Sequence, residues 1–391
     1  MFLINGIPVL VIECKNATKA EGIALGIDQL RRYHRETPEV MVPQQLFTAT
    51  DAIGFKYGVT WNTVHRNIFA WKHEEVGKLE AKVKSFCAIP QVLALLKDYI
   101  VFAEKDEELN KYILRQHQTT AVERVVHRAL DPVRRRGLVW HTQGSGKTFT
   151  MIKAAELLFK APVADKPTVL LMIDRNELED QMRKNLDSLG IKNVEHAENI
   201  SKLNKLLKDD YRGIIVCMVH KFRDMPANIN TRKNIYVLID EAHRTTGGDL
   251  GNFLMAGLPN ASYLGFTGTP IDKTAYGRGT FKTFGGEVDK GYLHKYSIAD
   301  SIADGTTLPL LQPGTGRVAG AARNAGQGVP EPGRCRGPGG HRAPEQGAGP
   351  RREPEELPEG QGAHPQGGRV RGEALHRERG AARLQGLPGG R

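Results

Sequence analysis

Short apolar runs alternate with polar, helix-patterned stretches along most of the chain. Phe2-Leu3-Ile4 and Val9-Leu10-Val11-Ile12 flank Asn5-Gly6, a pair that favours a two-residue hairpin turn, so two tightly joined strands are predicted at the N-terminus. Five further runs, Gly137–Trp140, Thr168–Ile173, Gly213–Val219, Ile235–Ile239 and Ser262–Phe266, are nearly continuous. Unbroken apolar strands are those covered on both faces, and a helical pattern such as Phe149–Phe159 lies between them. The expected fold class is therefore α/β, with a parallel sheet over residues 118–285 and a partial α/β domain over 1–85. Val92, Leu95, Leu96 and Tyr99 recur at helical spacing and predict a helical connector over 86–117. Trp61 and Trp71 read as core residues rather than stacking platforms.

The pattern ends near Leu311. Residues 313–391 hold 20 Gly, 10 Pro and 13 Arg, and no Lys, Asp, Ile, Met, Phe, Tyr or Trp. Such a segment buries too little apolar surface to offset its ordering entropy, so a disordered low-complexity tail is expected. A basic Gly-Arg tail binds nucleic acid non-specifically. The missing residue types are mostly those with A/T-rich codons, which favours translation of GC-rich DNA in a shifted frame. The net charge of +11 is compatible with DNA without being diagnostic. Four scattered cysteines, Cys14, Cys87, Cys217 and Cys335, lack metal spacing and suit a reducing compartment. No signal peptide or membrane-length apolar run is present, so a cytoplasmic protein without a membrane partner is expected.

The chemistry centres on His141-Thr142-Gln143-Gly144-Ser145-Gly146-Lys147-Thr148, a glycine-rich loop between a strand and a helix. In that context glycines let backbone N–H groups converge on phosphates, Lys147 reaches the β/γ-phosphates, and Thr148 ligates Mg²⁺. Gln143, Gly144, Ser145, Gly146, Lys147 and Thr148 are thus the expected ATP-binding set. His141 stands where the full pattern has glycine. The strand Tyr236–Ile239 ends in Asp240-Glu241-Ala242-His243: Asp240 would hold the Mg²⁺ shell and Glu241 polarise the attacking water. A third strand ends in Thr267-Gly268-Thr269-Pro270, whose hydroxyls are placed to sense a γ-phosphate.

In order and spacing these segments resemble superfamily 2 helicases and translocases. The resemblance implies a RecA-like lobe, adenine contact by Gln118, coupling of ATP to DNA by His243, Thr267 and Thr269, and DNA contact by Asp174 and Arg175. Taken by themselves, Asp174 and Arg175 suit a helix cap and His243 a helix start. The N-terminus narrows the family. Glu13-Cys14-Lys15 places Glu13 and Lys15 on one strand face, and Gln29 and Tyr33 share a helix face. Joined to a motor, these are similar to the R subunit of type I restriction-modification enzymes over residues 1 to about 310. That family implies a nuclease with Glu13 as metal ligand, Lys15 as the water-orienting group, and Gln29 and Tyr33 in support. It implies double-stranded DNA and the modification and specificity subunits as partners, and the activity of an ATP-dependent type I site-specific deoxyribonuclease.

Two departures limit these expectations. No Asp or Glu precedes Glu13, so the two-carboxylate metal site is incomplete; a start inside a longer gene accounts for it. Nothing after Leu311 resembles a second motor lobe with arginine fingers, and 286–312 reads as an exit toward one. The chain is therefore expected to bind ATP·Mg²⁺ while turning it over poorly. Other readings are a different superfamily 2 DNA or RNA helicase, and a nucleotide-binding remnant without catalysis.

Overall fold

The computed structural model describes residues 1–19, 21–73, 78–105, 108–174, 176–244, 249–271, 279–285 and 291–308. All of these lie in one compact unit, Met1–Thr315. The expected tail, 313–391, and Arg175 lie outside the described residues.

The strands in chain order are β1 Phe2–Ile4, β2 Ile7–Cys14, β3 Leu46–Thr50, β4 Phe55–Val59, β5 Phe69–Ala70, β6 Ile100–Lys105, β7 Glu108–Ile113, β8 Arg136–His141, β9 Thr168–Ile173, β10 Val194–His196, β11 Ile214–Met218, β12 Ile235–Ile239, β13 Ser262–Thr267 and β14 His294–Tyr296. The helices are α1 Gly22–Glu36, α2 Pro38–Met41, α3 Leu79–Cys87, α4 Ile89–Ala94, α5 Gln116–Ala129, α6 Lys147–Lys160, α7 Asn176–Ser188, α8 Ile200–Lys208, α9 Asp249–Gly257, α10 Thr280–Phe284 and α11 Ile298–Ala303.

The N-terminal sheet runs β1-β2-β3-β4-β5. Asn5 and Gly6 take φ of 52° and 81°, the left-handed pair that a tight hairpin requires. One face of this sheet packs Val11, Phe47 and Ala49 against Ile27 and Leu30 of α1. The other brings Tyr57, Trp71 and Phe86 into ring contact, and the Tyr57 hydroxyl donates to the Leu114 carbonyl at 3.0 Å. Trp71 is core as expected. Trp61 is not: it sits at φ 70° in the turn after β4, 52% exposed, with its backbone N–H donating to His34 Nε2. The turn geometry carries its ring outward.

The large sheet is fully parallel, in the order β10-β11-β9-β12-β13-β8-β14. Val169, Leu171 and Ile173 of β9 face a core shared with α5, α6 and α7, while Leu170 and Met172 face one shared with α8 and α9. Alternate side chains point to opposite faces, so a strand buried twice has no polar position to spare.

Two expected boundaries differ. The connector is helical only through Tyr99; β6 and β7 then form an antiparallel hairpin. Its β-branched and aromatic residues, Ile100, Val101, Phe102, Tyr112 and Ile113, fit a pleated surface better than a helix. The segment expected as an exit, 286–312, instead contributes β14, which pairs with β8 and extends the lobe beyond residue 285.

Candidate nucleotide-binding site

Strands β8, β12 and β13 are neighbours in register, so their carboxyl ends deliver His141, Asp240 and Thr267 to one edge of the sheet. The chain then turns from β8 into α6 through Gly144 at φ 73° and Gly146 at φ 81°. An L side chain rarely adopts that backbone, and a Cβ on Gly146 would lie 2.4 Å from Gln118 Nε2. Lys147 is nearly buried, its Nζ 3.4 Å from the carbonyls of His141 and Thr142. A Cβ on Gly268 would reach 3.6 Å from that Nζ, so the Thr267–Thr269 loop lies against the phosphate loop.

Asp240 is buried, and loss of solvent, followed by the neighbouring Glu241 carboxylate, raises its pKa; the Glu241 N–H and Lys147 oppose this. The Glu241 N–H donates to Asp240 Oδ1 at 2.9 Å, with Glu241 itself at φ 46°. His243 Nδ1 lies 2.9 Å from the Thr267 hydroxyl and 3.4 Å from Glu241 Oε2, and Thr267 Oγ1 also accepts from the Thr269 N–H. Burial lowers the His243 pKa against the pull of Glu241. Arg244 pairs with Asp174 at 2.6 Å, which ties the end of β9 to the turn after β12.

Gln118 lies beside the loop, and both ends of its amide are engaged. Oε1 accepts from the Arg115 N–H at 2.9 Å, and Nε2 donates to the Gly146 carbonyl at 3.0 Å. A cavity of about 600 Å³ opens next to it, with Phe69, Tyr112, Arg115 and Phe149 among the residues around Gly146. Arg115 Nη1 and Asn185 Nδ2, on two residues of its wall, are buried without a hydrogen-bond partner.

Three histidines, His117, His141 and His294, surround the root of the loop. His117 Nε2 lies 2.9 Å from the Ser145 carbonyl, and His141 Nε2 lies 2.7 Å from His294 Nδ1. Burial lowers the pKa of His117 and of His294 to about 4 each, and holds His141 well below the usual histidine range. His141 in the place of a glycine was the one signal available, since a bulky ring there needs a packed neighbour.

At the N-terminal domain Glu13 and Lys15 meet, Nζ to Oε1 at 2.7 Å. Helix α1 crosses them at Gly26, where a Cβ would lie 3.5 Å from Glu13 Cγ. Gln29 accepts from Arg32 at 2.6 Å and Tyr33 packs at the edge of the core. Among the described residues no group of three or more His, Cys, Asp or Glu is arranged to hold a metal ion.

Residues 117–322 match the SWI2/SNF2 ATPase family, and residues 1–66 match the type I restriction enzyme R protein N terminus. This chain belongs to the SWI2/SNF2 ATPase family, in a type I restriction R subunit. A putative type I restriction enzyme endonuclease subunit (MjaVIIIP) of Methanocaldococcus jannaschii is 31% identical over 344 residues, covering 79% of this chain and 33% of the relative. The SsaAORF53P endonuclease subunit of Staphylococcus saprophyticus is 30% identical over 322 residues, covering 78% of this chain and 33% of that one. This R-subunit chain thus spans about a third of the length of the curated relatives it matches. A solved structure of the ATP-dependent Type ISP restriction-modification enzyme LlaBIII bound to DNA aligns at a TM-score of 0.35 and 16% identity, over 51% of this chain and 16% of that one. Among the described residues no helix is long and apolar enough to cross a membrane.

Proposed function

We propose that this chain binds ATP with Mg²⁺ at Gln143–Thr148 and supplies the nucleotide-binding half of an ATP-dependent DNA motor. The observation that carries the reading is the meeting of three segments, the glycine loop, Asp240-Glu241 and Thr267–Thr269, at the carboxyl edge of one parallel sheet. Ligands of open α/β sheets bind at that edge. The residues fit the ion. Asp240 is a desolvated carboxylate beside a second carboxylate, an arrangement that attracts a cation beyond the Lys147 ammonium already near it, and Thr148 in the first turn of α6 supplies a neutral oxygen. A magnesium ion held by Thr148 and Asp240 would supply positive charge against the phosphates.

The chain's own residues do the rest. Gly144 and Gly146 shape the loop so that its N–H groups converge, and Lys147 places its ammonium on the phosphates. Glu241 orients the attacking water. The His243–Thr267 hydrogen bond reports nucleotide state between the second and third segments, with Thr269 tied to the same hydroxyl. The cavity beside Gly146 seats the base, with Gln118 in its wall. Double-stranded DNA is the proposed track, contacted from the segment starting at Asp174, and modification and specificity subunits are the proposed partners. Glu13 and Lys15, with Gln29 and Tyr33, form the corresponding nuclease site.

Calorimetric titration with ATP·Mg²⁺ tests the reading. The wild-type chain should bind and Lys147→Ala should not; equal affinities would refute it. Stimulation of any residual turnover by RNA rather than duplex DNA would move the chain to an RNA-dependent motor.

A further inference from the structure

Peptide planarity makes the carbonyls of the phosphate loop as informative as its N–H groups. In a trans peptide the C=O of one residue and the N–H of the next point in opposite directions. Holding the Ser145 and Gly146 carbonyls on one side therefore aims the Gly146 and Lys147 N–H groups to the other. Both carbonyls are held, by consecutive residues in the first turn of α5. His117 Nε2 meets the Ser145 carbonyl at 2.9 Å and Gln118 Nε2 meets that of Gly146 at 3.0 Å. A carbonyl only accepts, so Nε2 of His117 carries the proton and its tautomer is fixed. The two flanking glycines give the loop no side-chain bulk of its own to resist rotation of these peptides.

His117 is itself held from behind. Its ring stacks on Tyr296, centroids 3.7 Å apart and planes 12° from parallel. The Tyr296 hydroxyl donates to Asp304 Oδ2 at 2.8 Å, and Asp304 Oδ1 lies 2.5 Å from Lys72 Nζ, on the segment that follows β5 of the N-terminal domain. The Lys72 backbone also exchanges two 2.7 Å hydrogen bonds with the side-chain amide of Gln116, the first residue of α5.

We propose that His117 is a positioning residue of the phosphate loop, and that Tyr296, Asp304 and Lys72 make its grip depend on the docked N-terminal domain. The proposal rests on the nucleotide-binding reading above. It assigns the N-terminal domain a part in ATP affinity that is separate from any nuclease chemistry, and the dependence is reciprocal: bound nucleotide would tighten domain docking by the same factor.

The test is the affinity of the full chain for a fluorescent ATP analogue with Mg²⁺, measured for wild type, His117→Ala, His117→Gln, Lys72→Met and the His117→Ala/Lys72→Met double variant, each checked for fold by circular dichroism. His117→Ala should bind roughly five- to thirtyfold more weakly, the cost of one buried hydrogen bond. His117→Gln, whose amide N–H reaches the same carbonyl, should recover to within about threefold, which a purely packing role would not allow. Lys72→Met alters a half-exposed side chain and should weaken binding about two- to fivefold in the wild-type background, with no further loss once His117 is alanine. Wild-type affinity in a folded His117→Ala protein overturns the positioning role, as does a glutamine variant as weak as alanine. An equal Lys72 effect in both backgrounds overturns the link through His117. A wild-type chain that binds no ATP refutes the nucleotide site itself, and the present proposal with it.

Discussion

Lowering the pH from 7.5 to 5.0 should unload a large part of the lobe's stability through His117 and His294. Both rings are buried, and the pKa of each falls from 6.5 to about 4 on folding. Above pH 6.5 both states are neutral and the histidines contribute nothing to the pH dependence. Between 6.5 and 4 the unfolded chain takes up protons that the folded chain does not, so stability falls as the pH falls. At about 1.4 kcal/mol per unit, a drop to pH 5.0 costs roughly 2 kcal/mol for each ring, and about 4 kcal/mol for the pair. That is a large fraction of the 5–15 kcal/mol, roughly, that holds a typical domain. The surroundings give the rings little help in charging. Burial dominates both: the Ser145 carbonyl and Asp304 favour the charged His117 ring against Arg115 and Lys72, and Asp300 favours charged His294 against Arg124 and His117. His141, between the two, is also kept neutral by burial and by its histidine neighbours and Lys147. Urea denaturation at the two pH values, followed by circular dichroism, measures the loss. His117→Gln and His294→Gln should each shrink it by about 2 kcal/mol, because each removes one titrating group and leaves the rest of the chain unchanged. Variants that show the full wild-type difference between pH 7.5 and 5.0 would refute the reasoning.

Gly146→Ala places a Cβ 2.4 Å from Gln118 Nε2 at φ 81°; a loss of about 1–2 kcal/mol in denaturant stability, with weaker ATP binding, is expected from the left-handed backbone. Thr267→Val deletes a fully buried hydroxyl that serves both His243 and the Thr269 N–H; a cost of about 1–3 kcal/mol is expected, and an unchanged urea midpoint would show that water replaces it. Any metal-dependent nicking of supercoiled plasmid by the purified chain should disappear in Glu13→Ala, and nicking retained by that variant would refute the proposed role of Glu13.

The two levels of information divide by range along the chain. Glycines at 144 and 146, the Lys147-Thr148 pair and the apolar runs were legible in the sequence because each depends on neighbours a few positions away: a turn needs its left-handed residues, and a doubly covered strand needs an unbroken apolar run. The parallel lobe and the place of Asp240 and Thr267 at its edge followed from that local code. Only the tertiary structure decided the rest. The β14 strand is three residues, His294-Lys295-Tyr296, with too little pattern to announce itself; it exists because β8 offers an unpaired edge in the right register. That pairing is what brings His294 to His141 and Tyr296 to His117, across more than 150 residues of chain. The engagement of the Gln118 amide by the Gly146 carbonyl, 28 residues further along the chain, likewise comes from a packing partner remote in sequence. Periodicity specifies which face of an element is apolar, and says nothing of which distant polar group will meet it once that face is buried.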